Sequence, residues 1–335
     1  MKRFALSALL AFLALGAAST FAQQPVVIKF SHVVAENTPK GKGALKFKEL
    51  AEQRTKGRVK VDVYPNSQLF KDGEEMQMLA LGNVQMLAPS VSKFGPLGVR
   101  EFEVFDLPYI FDNYDELHTV TGGPIGQSLF KKLESKGIVG LAYWDNGFKE
   151  MSANKPLRTP ADFRGLKMRI QSSKVLDGQM RALGATPQVM AFSEVYQALQ
   201  TGVVDGTENP PSNLYTQKMN EVQKYVTLSD HGVIEYAVIV NKKFWDGLPA
   251  DLRGALQGAM KDATAYANDI AKKENEDALA AVKASGKTQI IALTADEKKA
   301  WKKALIKVHR DSEATIGKAL IQEIYKETKF DPGSL

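Results

Sequence analysis

The sequence predicts an α/β protein built as two lobes. Three observations carry this. Val26–Phe30 reads as a strand, Gly43–Arg54 has helical spacing with Ala44, Phe47 and Ala51 on one face, and Val59–Tyr64 alternates with Val59, Val61 and Val63 on one side. Strand, helix, strand is the unit of a parallel α/β sheet. Removing a leader that ends at Ala22 leaves 335 − 22 = 313 residues, too many for one core at about 100–200 residues per domain. The composition, 44% hydrophobic and 24% charged with no further long apolar run, is that of a water-soluble globule.

The leader begins Met1-Lys2-Arg3, continues as a 15-residue apolar run from Phe4 to Ala18, and exits through small residues to Ala22. A charged start, a short apolar core and a small-residue exit describe a secretory signal peptide cleaved after Ala22. The run is short for a membrane span of about 20 residues. The expected fate of the chain is therefore export. The chain has no Cys, so stability must come from burial rather than from disulfides. The net charge of +6 falls to +4 once Lys2 and Arg3 leave, with lysines scattered over helices. That argues against a nucleic-acid surface and for a mildly positive cleft that attracts anions.

Along the chain, His32 sits just beyond the first strand. A helix is expected over Gly73–Leu81 and a buried strand over Val84–Leu87, followed by the small polar run Ala88–Lys93. A strand end of this kind is a favoured ligand position in open α/β sheets. Ser90 offers a hydroxyl there; Lys93 reads as an ordinary loop lysine. Phe105, Tyr109 and Phe111 are expected in the core, and His118 on an exposed helix face. Pro124–Lys136 reads as a helix and Gly137–Trp144 as a strand. Asn146-Gly147 is a turn signal, so the first lobe crossing is placed in Asp145–Ser152.

Thr159 and Pro160 open a helical turn. Lys167–Ile170 reads as a strand, with Gln171 and Ser172 at a helix N-terminus whose amides favour an anion. Ser193–Gln200 reads as a helix capped by Ser193, and Val203–Pro210 as a strand running into a loop. Val226–Val240 is strand material containing Tyr236, whose hydroxyl needs a partner if buried. Pro249–Ser285 is one long helix or two broken near one point. Thr294 and Glu297 form a capping box opening a helical stretch to Leu320, with His309 on its exposed side.

Arg169 and Asn209 fall at two strand ends. An arginine fork plus an amide is a receptor for a carboxylate, because the planar guanidinium matches two carboxylate oxygens. Enzymatic signatures are missing: no Cys nucleophile, no His-Glu-x-x-His, no Gly-x-Ser-x-Gly and no P-loop. The chain therefore reads as a binding protein, with no cofactor or metal.

Met190–Pro210 (MAFSEVYQALQTGVVDGTENP) closely resembles the signature of the solute-binding subunits of TRAP transporters, the tripartite ATP-independent periplasmic transporters. The resemblance extends through Phe30–Ala44 (FSHVVAENTPKGKGA), Tyr64–Phe70 (YPNSQLF), Asp106–Phe111 (DLPYIF) and Leu157–Ile170 (LRTPADFRGLKMRI). It is most similar to the branch that binds four-carbon dicarboxylates. It implies a two-lobed periplasmic solute-binding-protein fold with a hinge and a long helix spanning both lobes. The lobes expected are 25–146 plus 235–274 and 147–234 plus 275–335. It also implies a monomer, delivery of succinate, malate or fumarate to membrane subunits, and ligand contacts at Arg169, Asn209 and near Ser90, with Phe192 lining the cavity. Where the family commonly has an arginine, this chain has Lys149, a candidate for the second carboxylate. His32, Gln171 and Tyr236 complete the expected site. A sugar acid, monocarboxylate or aromatic acid remains the alternative ligand.

Overall fold

The computed structural model describes residues 24–334, so the expected leader lies outside the described residues. Two sheets organise the chain. The first contains β1 (Val26–Ser31), β2 (Val59–Tyr64), β3 (Met86–Leu87), β4 (Ile138–Phe148) and β10 (Val233–Asn241), in the order β2-β1-β3-β10-β4. The second contains β5 (Glu150–Ala153), β6 (Lys167–Ile170), β7 (Thr186–Val189), β8 (Gly206–Asn209), β9 (Tyr225–Leu228) and β11 (Gln289–Ala292), in the order β11-β9-β5-β8-β6-β7. β1 runs parallel to β2 and β3, whereas β10 is antiparallel to β3 and β4. All nine residues of β10 are buried, as its near-continuous apolar run requires of a strand covered on both faces.

The chain passes from the first sheet to the second at Lys149, between β4 and β5, and returns between β9 and β10. The Lys149 amide donates to the Gly232 carbonyl at 2.8 Å, tying the two connections together. The expected turn at Asn146-Gly147 is absent. β4 runs on through it, because cross-strand pairing with β10 overrides the local turn preference.

The third connection is the single helix Ala250–Ala284. At about 1.5 Å per residue its 35 residues extend roughly 52 Å. Leu252, Leu256, Ala259, Ala263, Ala267, Ala271, Ala278 and Val282 form one buried stripe. The small alanines let it approach closely: a Cβ on Gly43 would stand 2.9 Å from the Ala267 Cβ. Leu252–Ala267 join the core under the first sheet, and Val282 joins a cluster with Val195, Leu214 and Val226 beside the second. A larger core is shared between the lobes, with Phe102 and Phe105 in the same cluster as Met151, Phe163 and Ile170.

Several local expectations change. Ser193 caps nothing; a short 3-10 turn, Phe192–Glu194, leads into the helix Val195–Gln200. The predicted strand at Val203 begins only at Gly206, and Val203 is exposed. The stretch from Thr294 keeps its capping box, but breaks into four helical pieces ending at Thr328, the last entered through Gly317 with φ 105°. His309 is buried rather than exposed, bonded to the Tyr325 hydroxyl at 2.7 Å and the Pro108 carbonyl at 2.8 Å. His118 is half-exposed and bonded to Asp145 at 2.7 Å.

Candidate functional site

Six of the eight expected site residues line one cavity between the sheets: Ser90, Arg169, Gln171, Phe192, Asn209 and Tyr236. Asp72, Lys93 and Asn213 complete its polar wall, and Val33, Val34 and Ile234 its apolar wall. The space open to a water-sized centre is only about 20 Å3, so the lobes stand close together around it.

Arg169 is the penultimate residue of β6 and is buried. Its Nε and Nη2 both donate to the Met190 carbonyl, at 3.0 and 2.8 Å, and its guanidinium lies 5.7 Å from the Phe192 ring centre. These contacts fix the plane of the fork while Nη1 keeps its donors free of protein hydrogen bonds. Burial lowers this guanidinium from its ordinary value, opposed by Asp72 and Glu208. An arginine side chain stays a cation at neutral pH in proteins.

Lys93 follows β3, one turn after Ser90. It is buried, not the solvated loop lysine expected. Its ammonium bonds to Asp72 and lies 3.2 Å from Glu75. Burial alone would lower its pKa, but the two carboxylates outweigh that and push it up. Asp72 also accepts the Phe192 amide at 2.7 Å and stands 3.8 Å from Arg169. Burial would raise its carboxyl, yet Lys93 and Arg169 hold it below the usual range. One carboxylate from the first lobe thus lies between a cation of each lobe. Nothing in the local sequence KDGEE marked Asp72 for this; its role comes from the approach of the second sheet.

The remaining donors are held by neighbours. Asn146 and Asn213 both donate to the Tyr236 hydroxyl, at 2.9 and 3.4 Å. Asn209 Nδ2 donates to Thr207 at 3.3 Å. Ser90 bonds Ser92 at 3.2 Å, and Ser92 in turn donates to Asp106 at 2.6 Å.

Two expected residues fall outside the cavity lining. The Lys149 ammonium donates to Glu208 Oε1 at 2.9 Å, and both side chains are buried. Glu208 Oε2 takes His231 Nε2 at 2.8 Å and Gln179 at 3.2 Å. Burial opposes ionisation of Glu208, but Lys149 and His231 hold its carboxyl at about 2. Burial lowers His231 from its ordinary value, opposed by Glu208, and its Nδ1 lies 2.8 Å from the Ser229 hydroxyl. Lys149 thus lies outside the cavity lining, with its ammonium on Glu208. His32 is fully buried beside the cavity; burial and Lys40 lower it to about 3, which keeps the ring neutral.

The expected helix N-terminus at Gln171 is also taken. The helix starts at Lys174 with Ser173 as cap, and the Lys174 amide donates to Glu103 at 2.9 Å. Among the described residues, no group of three or more His, Cys, Asp and Glu is placed to hold a metal ion. No described helix is long and apolar enough to cross a membrane.

A paired-sheet scaffold with a closed, cation-lined cavity is suited to holding a small anion. Residues 30–315 match the family described as bacterial extracellular solute-binding proteins, family 7. The chain belongs to that family. A C4-dicarboxylate-binding periplasmic protein of Rhodobacter capsulatus is 66% identical over 305 residues, covering 91% of this chain and 92% of the relative. A TRAP periplasmic solute-binding protein of Sulfurospirillum deleyianum, solved with bound succinate, is 50% identical with a TM-score of 0.87, covering 89% of this chain and 98% of that one. One from Pseudomonas aeruginosa, solved with bound L-malate, is 44% identical with a TM-score of 0.84, covering 86% and 100%. As a family 7 solute-binding protein, the chain has the cavity between its two sheets as its candidate solute site. Lys149, at the crossing, balances the buried charge of Glu208.

Proposed function

We propose that this protein captures a C4-dicarboxylate, such as succinate or malate, between its lobes and delivers it unchanged to the membrane subunits of a TRAP transporter. The observation that carries this reading is the pair of buried cations facing one cavity from opposite lobes, Arg169 from the second sheet and Lys93 from the first. A diacid has a carboxylate for each. Arg169 with Asn209 would bind one carboxylate; Lys93 with Ser90 and Tyr236 would bind the other. Gln171 would add a donor and Phe192 a wall. The names and bound ligands of the relatives support the same class. Each charged hydrogen bond contributes about 1.5–3 kcal/mol, and micromolar binding needs about 8 kcal/mol in all. Three or four such bonds, less the closure and ordering costs, reach that figure. The exported chain would work as a monomer in the periplasm.

The test is a thermal-shift screen of refolded, ligand-stripped protein. True ligands raise the melting temperature by mass action. Succinate, malate and fumarate should raise it, sugar acids should not, and Arg169→Ala should abolish the shift. A shift with sugar acids alone, or an unchanged shift in Arg169→Ala, would overturn the assignment.

A further inference from the structure

Lys40 is the least expected charge in the molecule. It lies in the first turn of the helix Pro39–Arg54 and is all but sealed from water. Its ammonium donates to the Ala88 carbonyl at 2.9 Å and sits 3.6 Å above the Tyr236 ring. Among the described residues no carboxylate comes within ion-pair distance of it. Tyr236 and Ser90, paired by a strand bridge, separate it from the cavity they line. Lys40 therefore stands one residue layer behind the ligand space.

Its charged and titratable neighbours are Lys93 beyond β3, Asp72 ahead of the helix Glu75–Ala80, Glu75 within that helix, His32 beyond β1, and Tyr236 in β10. Burial and Lys93 lower its pKa well below the ordinary value, against the pull of Glu75 and Asp72. Burial also raises Glu75, whose Oε2 has no partner. Lys93 stands beside Asp72 and Glu75, and Arg169 beside Asp72, so the two cations at the cavity already have carboxylate partners. Lys149 and Glu208 cancel each other. A dicarboxylate adds two negative charges to these groups. Buried charge without a partner is costly. A further cation behind Tyr236 offsets one of those charges.

We propose that the protein takes up its dicarboxylate together with one proton, which the Lys40 amine binds from the buffered solvent as the dianion enters. Lys40 is then a positioning residue acting on the ligand through charge across Tyr236. This rests on the dicarboxylate reading above. The sign follows from linkage. Lys40 has a higher pKa in the liganded state than in the free one. Affinity is greatest below the free-state pKa and falls about tenfold per pH unit until the liganded-state pKa is passed.

The test is calorimetric titration of ligand-stripped wild-type protein with succinate at about pH 8, where both carboxyls of the free acid are ionised. The same titration is run in phosphate and in Tris, whose protonation heats differ. The apparent enthalpies should differ by the heat of one buffer proton. Lys40→Met should remove that difference, flatten the pH profile and weaken succinate about tenfold or more. Lys40→Arg, which never loses its proton, should also remove the difference while keeping the affinity. Equal enthalpies in the two buffers for the wild-type protein would overturn the proposal, as would full proton uptake in Lys40→Met. If succinate gives no saturable heat in either buffer, the dicarboxylate reading itself fails. The wild-type comparison stands without the variants, so a variant that does not fold leaves the test intact.

Discussion

Lys149 Nζ lies 2.9 Å from Oε1 of Glu208, with both side chains closed to water at the point where the chain leaves the first sheet. The pair holds the crossing and the floor of the site in one unit, because Glu208 is the residue before Asn209 in β8. Removing one partner leaves the other as an uncompensated buried charge. Lys149→Met should cost about 3–5 kcal/mol of stability. Urea unfolding of the ligand-free protein would measure it; a loss below about 1 kcal/mol would mean that the pair is solvated. Lys149→Met combined with Glu208→Met should recover part of the loss, since it removes both charges.

Glu208 also sets a pH limit. Its folded pKa of about 2 lies below the unfolded value, so its contribution is fully present above the unfolded pKa and lost as pH falls towards 2. Its size is about 3 kcal/mol. Asp106 works in the opposite direction: burial raises it to about 7, so its contribution is present in acid and lost as pH rises through 7. Urea midpoints at neutral pH and at about pH 3 should show the gap in stability between wild type and Glu208→Gln, wide at neutral pH, narrowing in acid. Equal acid sensitivity in both proteins would remove Glu208 from the account.

Arg169→Lys should weaken succinate and a monocarboxylate alike. A lysine is a point charge and cannot present two parallel donors or keep both bonds to the Met190 carbonyl. The expected loss is about 1.5–3 kcal/mol, or roughly 10- to 150-fold in affinity by calorimetry.

Lys93→Met separates the two ends of the ligand. It should weaken succinate about tenfold or more and a monocarboxylate much less, because only a diacid reaches the second cation. Equal losses for both would place Lys93 in the scaffold rather than in recognition.

Gly147 lies near the end of β4, where a Cβ would come within 2.6 Å of Asn275 Nδ2 and 3.1 Å of the Tyr114 hydroxyl. Asn275, on the long helix, donates to the Asn146 carbonyl at 2.6 Å and accepts the Ser212 amide at 2.9 Å. It therefore joins β4, the long helix and the helix Pro211–Thr216. Gly147→Ala should cost about 1–3 kcal/mol in thermal or chemical unfolding by forcing these apart.

Elements with strong local signals were legible in the sequence. The alternating Val59–Tyr64 strand, the apolar β10, the Thr294–Glu297 capping box and the uninterrupted alanine-rich helix from Ala250 each encode their own conformation. Arg169 and Asn209 could be singled out because the runs that carry them resemble the family signature; an arginine in a strand is otherwise mostly solvated or paired with an acid. Asp72 was invisible: its sequence neighbourhood is an ordinary polar turn, and its partners Phe192 and Arg169 are 120 and 97 residues away. The settings of Lys93 and Lys149 were hidden for one reason. A lysine's role depends on which carboxylate the fold sets beside it, and Asp72 and Glu208 arrive from distant segments.

The sequence by itself determined the two α/β lobes, the helix that joins them and, through resemblance of its motifs, the family. The lobes and the helix rest on periodicity and caps, which are local. The tertiary structure alone decided which charges are spent on one another and which remain facing the cavity. That balance depends on distance and burial, because the interaction between two charges changes severalfold with a few ångströms and with the exclusion of water.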